Sequence, residues 1–429
     1  MHICYVADAR SPIAKNWISH FVARKHRVTV ISSYPCRPDE IPGAEVLELP
    51  FAVSSLSGIR HRVQNGSAQL SGLQKIVVQV RSGRLSGIVD LLRAWAAPLS
   101  IRARAERLTA LIDDLRPDLV HAMRLPYEGF ITAAAVKTRP LLLSVWGNDF
   151  TLFANRSRRL SKLTDLALQC ASGLLCDCRR DLDMAFSRGF SRQKPWRVLP
   201  GGGGIDIDRF VQQPDRDLLR TFHIQPGAQL VINARGVRAY VRNDVFFHAI
   251  PLILQEVPQA LFIAIGMRGN PAAERWTKKL RIQNSVRLLP TLSHEQLATL
   301  FAASQVSVSP SSHDGTPNTL LEAMACGSFP VLGRVGSLRE WIIDGENGLF
   351  CDESDANSLA SCIIRVLQNP ALRRAAAKIN RDLIRARADR AAVMFQAEAL
   401  YAEIVDGLKP SGSQLEAELT DSLDMNLHV

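Results

Sequence analysis

The sequence predicts an α/β protein built from two parallel sheets, each covered on both faces by helices. Three observations support this prediction. Short β-branched runs alternate with amphipathic helical stretches along the chain, which is the pattern of parallel sheets with helical crossovers. The chain has 429 residues, and single cores divide at roughly 250–300. Four glycines after a proline, from Pro200 to Gly204, are the strongest loop signal and mark the interdomain hinge.

The first domain is expected over residues 1–200. Its β-branched runs predict strands and its amphipathic runs predict helices. In chain order these elements are strand His2 to Ala7, helix Trp17 to Lys25, strand Arg27 to Ile31, strand Leu119 to His121, helix Gly129 to Lys137 and strand Leu141 to Trp146.

The second domain is expected over residues 201–385, where the same alternation restarts and predicts a second Rossmann-like sheet. The predicted strands are Gln229 to Ala234, Ala260 to Gly266, Val286 to Leu289, Val306 to Pro310 and Phe329 to Leu332. The predicted helices are Asp244 to Val257, Ala272 to Ile282, His294 to Ala303, Asn318 to Ala325, Leu338 to Ile343 and Ala356 to Gln368. A helix over 386–408 that crosses back to the first domain and a disordered tail over 409–429 complete the chain, since the residues after Pro410 include four acids and no Lys or Arg.

Composition points to a folded protein of the cytoplasm. Hydrophobic residues make up 47% and charged residues 22%, which is the globular range. The start shows no basic region followed by a long apolar run, so a secretory signal is not expected. The most apolar stretch, Phe246 to Gly266, contains two prolines and is expected to form a helix, a turn and a strand instead of a membrane span.

The formal net charge is +11, and the excess is concentrated between Ala52 and Leu108. This segment contains nine basic and two acidic residues, and apolar residues are interleaved with them. A basic amphipathic helix of this kind suits the anionic inner face of a membrane, whereas a solvated arginine-rich face is the alternative. Nucleic acid is not expected as a partner, because no recognisable binding motif accompanies the charge.

The eight cysteines show no Cys-x-x-Cys spacing that would indicate zinc. Cys170, Cys176 and Cys178 form the only cluster, and it lacks a fourth nearby ligand. We therefore expect no metal and no bound cofactor.

The segment from Ser309 to Gly327 carries the predicted chemistry. A strand end leads into a loop, and a helix begins near Pro317, a residue suited to a first helical turn. Asn318, Thr319 and the preceding residues then expose backbone N–H groups at a positive helix end, which can seat a diphosphate. Glu322 follows one turn later, where a carboxylate can accept hydrogen bonds from ribose hydroxyls, and Asp314 precedes it by eight residues.

This segment resembles the signature of glycosyltransferase family 4, an acid and a glutamate eight positions apart within Glu-Gly-x-Pro-Asn-x-x-Leu-Glu-Ala-Met-Ala-x-Gly. The thirteen residues from Gly315 to Gly327, which include Thr316, follow that pattern. The resemblance implies the GT-B fold, two facing Rossmann-like domains with the donor on the second. It assigns the donor ribose to Glu322 and places Asp314 near the transferring sugar, although the family usually has Glu where this chain has Asp314.

The resemblance also implies basic residues after the first strand of the second domain, which neutralise the departing diphosphate. Arg235 aligns with the family's arginine, and the family's lysine is replaced, with Arg242 as the candidate and Arg238 as the alternative. In the first domain, Asp149 follows a position where the family often has His and this chain has Trp146. Asp149 is expected to contact the transferred sugar or to cap the next helix.

A glycine-rich turn of the family is replaced by Asp8 to Pro12, so Arg10 and Ser11 are expected on the acceptor side. The resemblance implies retention of configuration without a metal. The expected reaction moves a hexose or N-acetylhexosamine from a UDP- or GDP-sugar to a saccharide or lipid-linked saccharide, in cell-surface glycan synthesis. A catalytically silent GT-B subunit, a sugar-nucleotide epimerase and a phosphorylase remain alternatives.

Overall fold

A computed structural model of the chain describes residues 1–50, 102–210, 214–225 and 227–407. Most of the basic segment, residues 52–101, and the acidic tail, residues 409–429, therefore lie outside the described residues. The predictions of a membrane-facing helix and of a disordered tail concern those parts of the chain. No helix within the described ranges is long and apolar enough to cross a membrane.

The first domain contains a seven-stranded parallel sheet in the order β3-β2-β1-β4-β5-β6-β7. Its strands are β1 His2–Ala7, β2 Arg27–Ser32, β3 Glu45–Glu48, β4 Leu119–Ala122, β5 Leu141–Val145, β6 Gly173–Cys176 and β7 Trp196–Val198. Its helices are α1 Pro12–Ala23, α2 over residues 102–115, α3 Phe130–Ala135, α4 Arg158–Cys170 and α5 Arg179–Ser187. The strand order reverses direction between β1 and β4, so the carboxyl ends of these two strands flank a crevice suited to ligands.

The second domain repeats this plan with six parallel strands in the order β10-β9-β8-β11-β12-β13. The strands are β8 Gln229–Asn233, β9 Ala260–Ile265, β10 Val286–Leu289, β11 Val306–Ser309, β12 Phe329–Gly333 and β13 Leu349–Cys351. The helices are α6 Ile207–Phe210, α7 Arg216–Thr221, α8 Asn243–Glu256, α9 Pro271–Lys279, α10 His294–Ala303, α11 Asn318–Cys326, α12 Ala356–Leu367 and α13 Pro370–Ala388. Here the order reverses between β8 and β11. Both sheets confirm the predicted α/β class.

The last described helix, α14 Arg390–Asp406, leaves the second domain and packs on the first. Its side chains Met394, Leu400 and Tyr401 are fully buried in a core that they share with Tyr5 of β1 and Trp17 of α1. The chain turns at Asp389, whose carboxylate accepts the backbone N–H of Ala392 and caps the helix. This element confirms the predicted helix that returns to the first domain.

The predicted helix from Leu338 to Ile343 differs from the structure, which has a short 3₁₀ turn, Gly336–Glu340, followed by a loop in which the Asn347 side chain accepts the Ile343 N–H. The three-residue strand β13 was not predicted. Three residues are too few to show a periodicity in the sequence.

Candidate active site

The loop after β11 and the first turn of α11 form the candidate donor site. Pro317 occupies the N-cap position in an extended conformation, one residue before the expected helix start, and its side chain makes no capping bond. The Asn318 and Thr319 N–H groups therefore precede the first intrahelical bonds, which Leu320 and Leu321 donate to the Pro317 carbonyl. The helix end carries positive potential at the carboxyl ends of β8 and β11, where the sheet order reverses.

Arg235 lies just beyond β8 and reaches this helix end. Its Nη2 donates to Asp314 Oδ2 at 2.6 Å, and its Nη1 donates to Thr319 Oγ1 at 3.2 Å. The two charged side chains are only 10% and 9% exposed, so water screens their attraction weakly. Arg235 Nε is buried and has no hydrogen-bond partner among the described residues. The structure therefore brings Arg235, Asp314, Thr319 and the helix end together.

Glu322 lies one turn into α11, and its side chain is 6% exposed. Its Oε1 stands 3.5 Å from Nδ1 of His294, the first residue of α10. The hydrogen bond to Glu322 raises the pKa of His294, because the carboxylate favours the protonated imidazole. No sequence pattern indicates this pairing, since His294 precedes Glu322 by a whole strand and loop.

The two other predicted arginines do not bind the Asp314 carboxylate among the described contacts. Arg242 has a left-handed backbone (φ 53°) at the N-cap of α8, and its Nε and Nη2 donate to the two carboxylate oxygens of Asp244. Arg238 is exposed, and its Nη1 donates to the hydroxyl of Tyr240 at 3.3 Å. Among the three predicted arginines, Arg235 is therefore the one that bonds both Asp314 and Thr319 of α11.

Gly147 and Gly315 bring the two domains into backbone contact beside Asp314. A Cβ atom placed on Gly147 would overlap the backbone of Gly315 and approach the Asp314 carbonyl carbon to 2.6 Å. Asp177, which follows β6, accepts the Gly147 N–H at 3.2 Å and the Thr316 N–H at 3.4 Å through Oδ2. The Asp177 carboxylate therefore links the loops of both domains next to the predicted site. Asp177 was not among the residues predicted from the sequence.

Asp149 is fully buried in the first domain and bonds to backbone. Its Oδ2 accepts the N–H groups of Trp146 and Leu125 at 3.0 and 3.4 Å, and its Oδ1 accepts the Arg124 Nε–H at 3.3 Å. Burial raises the pKa of Asp149 to about 6, and the nearby Arg124 charge opposes this shift. In this structure Asp149 holds the loops after β4 and β5 together, and the helical turn that begins at Asp149 has no side-chain cap.

A cavity of about 290 Å³ opens at the carboxyl ends of β1 and β4 in the first domain. We call it the first-domain cavity. Ser11 and Trp146 line it, and Arg10 lies at its border, where it donates to both Asp8 carboxylate oxygens and covers the Tyr34 ring. The expected acceptor-side residues therefore adjoin a cavity.

Asp177, Cys178 and Asp181 are a group in the described residues whose ligand atoms could share an ion, since those atoms lie within 4.8 Å of one another. Arg180 Nη2 already donates to Asp181 Oδ1 at 2.7 Å and supplies positive charge there. Because Arg180 already supplies a positive charge, the three residues are better suited to sharing a proton or pairing with this arginine than to binding a metal ion as well.

Comparison with known families gives one match in each half of the chain. Residues 220–383 match the family described as Glycosyl transferases group 1. Residues 84–177 match the family described as Glycosyl transferase 4-like. The first match contains Arg235, Asp314 and Glu322, and the second contains Trp146 and Asp149.

Two curated relatives illustrate the similarity. D-inositol 3-phosphate glycosyltransferase 2 of Catenulispora acidiphila is 26% identical over 186 residues, 41% of this chain and 44% of that protein. A GDP-mannose-dependent alpha-(1-6)-phosphatidylinositol monomannoside mannosyltransferase of Mycolicibacterium smegmatis is 28% identical over 203 residues, 45% of this chain and 52% of that protein. The matched segments span about half the length of these relatives.

Solved structures resemble the whole described fold. Sucrose-phosphate synthase of Thermosynechococcus elongatus has a TM-score of 0.71 at 17% identity, covering 95% of this chain and 100% of that one. HepE of Anabaena, solved in complex with UDP-glucose, has a TM-score of 0.69 at 16% identity, with 95% and 100% covered. These similarities establish the GT-B fold for this chain.

Proposed function

This chain belongs to the glycosyl transferases group 1 family, of the family 4 type, and we propose that it transfers a hexose or N-acetylhexosamine from a UDP- or GDP-sugar. The proposed acceptor is a saccharide or a lipid-linked saccharide in cell-surface glycan synthesis. The proposed location is the cytoplasm, including the inner face of the membrane, which the basic segment over residues 52–108 favours.

One observation supports donor binding above the others. Arg235 and the first N–H groups of α11 converge at the carboxyl ends of β8 and β11, where a doubly wound sheet binds its ligand. Glu322 lies one turn farther along the same helix, and its buried carboxylate stands beside His294. A diphosphate bound at the helix end would point its attached ribose towards Glu322.

In the proposed chemistry, hydrogen-bond donors and a positive charge are held in fixed positions around the leaving diphosphate. Arg235 and the Asn318 and Thr319 N–H groups stabilise the negative charge that develops on the leaving diphosphate, and preorganised donors of this kind often contribute more to catalysis than any other effect. The sugar–phosphate C–O bond breaks as the acceptor oxygen bonds to the same face of the sugar, which retains its configuration. The leaving phosphate oxygen takes the acceptor proton, so no side-chain base and no metal are required.

Turnover of two variants tests this proposal. Glu322→Ala and Arg235→Ala should each lower transfer from the preferred nucleotide sugar by at least about 10²-fold, because each removes a contact to the donor. Glu295→Ala, which removes a 79% exposed carboxylate on α10, should keep the wild-type rate. Circular dichroism would establish that the variants fold. Full activity in either site variant contradicts the assignment.

A further inference from the structure

Four aromatic residues line the first-domain cavity. Tyr34, Tyr127, Trp146 and Phe153 all contribute to its wall. Aromatic faces beside polar groups suit a ring that has apolar C–H surfaces and hydroxyls at its edge. The cavity volume of about 290 Å³ lies close to the lower end, about 300 Å³, of pockets that bind small molecules.

The charged groups of the cavity are already compensated. Asp8 accepts two hydrogen bonds from Arg10, at 2.9 and 3.1 Å. Arg124 donates to Asp149, and its guanidinium lies 5.1 Å from the centre of the Phe153 ring. These pairs leave the lining without a charge excess that would attract a phosphate.

Glu128 also lines the cavity. Among the described contacts, no arginine donates a hydrogen bond to its carboxyl group. It is 7% exposed, and its Oε1 accepts the Ser33 hydroxyl at 2.7 Å. Burial raises its pKa, while the nearby Arg124 charge opposes the shift. The preceding residue, Tyr127, has a strained backbone (φ 65°, ψ −68°), a conformation that costs of order 1–3 kcal/mol and is found at binding sites.

We propose that the first-domain cavity binds an uncharged sugar ring of the acceptor, and that Glu128 accepts a hydrogen bond from one of its hydroxyls. This inference rests on the proposed function, because it assigns the acceptor of that reaction. The cavity adjoins the donor side through Trp146, whose neighbour Gly147 contacts the Gly315 backbone. A phosphorylated acceptor would bring its negative charge against the buried Glu128 carboxyl group, to which no arginine is bonded among the described contacts.

Matched acceptor pairs test the acceptor class on the wild-type protein. The pairs are glucose with glucose 6-phosphate, mannose with mannose 6-phosphate, and myo-inositol with myo-inositol 1-phosphate. Binding would be measured by saturation-transfer NMR in the presence of UDP, and transfer by nucleotide release. The neutral member should bind at least tenfold better in one or more pairs. Preference for the phosphorylated members, or binding of neither member by protein that binds donor, overturns the inference.

The Glu128→Gln variant tests the residue. The acceptor KM should rise about tenfold, because the amide replaces one oxygen acceptor with an N–H₂ group that cannot accept the hydroxyl hydrogen bond, while the donor KM stays within twofold. Asp113→Asn, which changes an exposed carboxylate on α2, should leave both values unchanged. An unchanged acceptor KM in folded Glu128→Gln rejects the role of Glu128. Absence of donor binding in the wild type would instead reject the proposed function itself.

Discussion

Asp314 and Arg235 illustrate what a one-methylene difference does at a charged site. The family pattern has a longer glutamate at position 314, and here the shorter Asp314 is met by the Arg235 guanidinium at 2.6 Å. The same guanidinium bonds Thr319 at the start of α11. Asp314 therefore fixes the arginine that we assign to the diphosphate, in addition to the sugar contact that the resemblance implies. Removing Arg235 would leave a nearly buried carboxylate without its counter-charge.

His294 gives the site a dependence on pH. Its pKa is raised by Glu322, so the protonated pair stabilises the folded state fully below the ordinary histidine pKa near 6.5. That stabilisation is lost as pH rises through the raised folded-state pKa. We expect the difference in unfolding free energy between wild type and His294→Gln to shrink from pH 5.5 to 8.5, as measured by urea denaturation.

The effect should be small, because the His294 side chain is 51% exposed and water screens the pair. His248→Gln provides a control on α8, where the imidazole Nδ1 bonds the backbone carbonyl of Asp244 and no carboxylate. A difference that stays constant over this pH range would show that Glu322 does not hold the His294 proton.

At the scale of elements, the phenol of Tyr401 joins α14 to the first sheet. Tyr401 Oη accepts the Trp17 Nε1–H at 2.9 Å and lies 2.6 Å from His121 Nδ1. Burial lowers the pKa of His121 to about 3, so this imidazole is neutral at physiological pH. His121 Nε2 in turn contacts the Ser144 hydroxyl at 2.7 Å. The network thus connects α1, β4, β5 and the returning helix.

Tyr401→Phe should lower the unfolding free energy by about 1–3 kcal/mol, because the Trp17 N–H and one nitrogen of His121 lose their partner inside the core. Phe395→Leu serves as the control, since Phe395 is 73% exposed on the same helix. Urea denaturation at pH 7 would measure both. Equal stability of Tyr401→Phe and wild type would mean that buried water replaces the phenol.

The elements differ in how far the sequence could predict them. Strands β1, β2, β8 and β9 are long β-branched runs, and the structure places strands there. The strands β3 and β13 are short, and a pattern of three or four residues does not distinguish strand from loop. The Asp314 to Glu322 spacing identified residues on one loop and one helix. His294, Asp177 and Glu128 were missed because their partners are distant in the sequence and meet only after folding.

At the scale of the whole molecule, the two domains meet at glycines. Gly147 carries no positive φ, so the first domain alone would accept alanine there. The added methyl group would overlap Gly315 of the second domain and hold the domains apart. Gly147→Ala should therefore lower transfer by at least about 10²-fold, since misplacement by about 1 Å can cost that much.

Small-angle scattering should also show a larger radius of gyration for Gly147→Ala in the presence of donor. Gly336→Ala is the matched control, because a Cβ atom there meets nothing within 4 Å. Wild-type scattering and activity for Gly147→Ala would show that this contact between domains is dispensable.

The most direct measurement of donor recognition is calorimetric titration of wild type and Glu322→Ala with UDP-, GDP- and ADP-sugars. The site geometry predicts that one nucleotide series binds the wild type, and that Glu322→Ala weakens this binding at least tenfold, about 1.4 kcal/mol. Equal affinity in the two proteins, or no binding of any nucleotide sugar to the wild type, would contradict a donor site at α11.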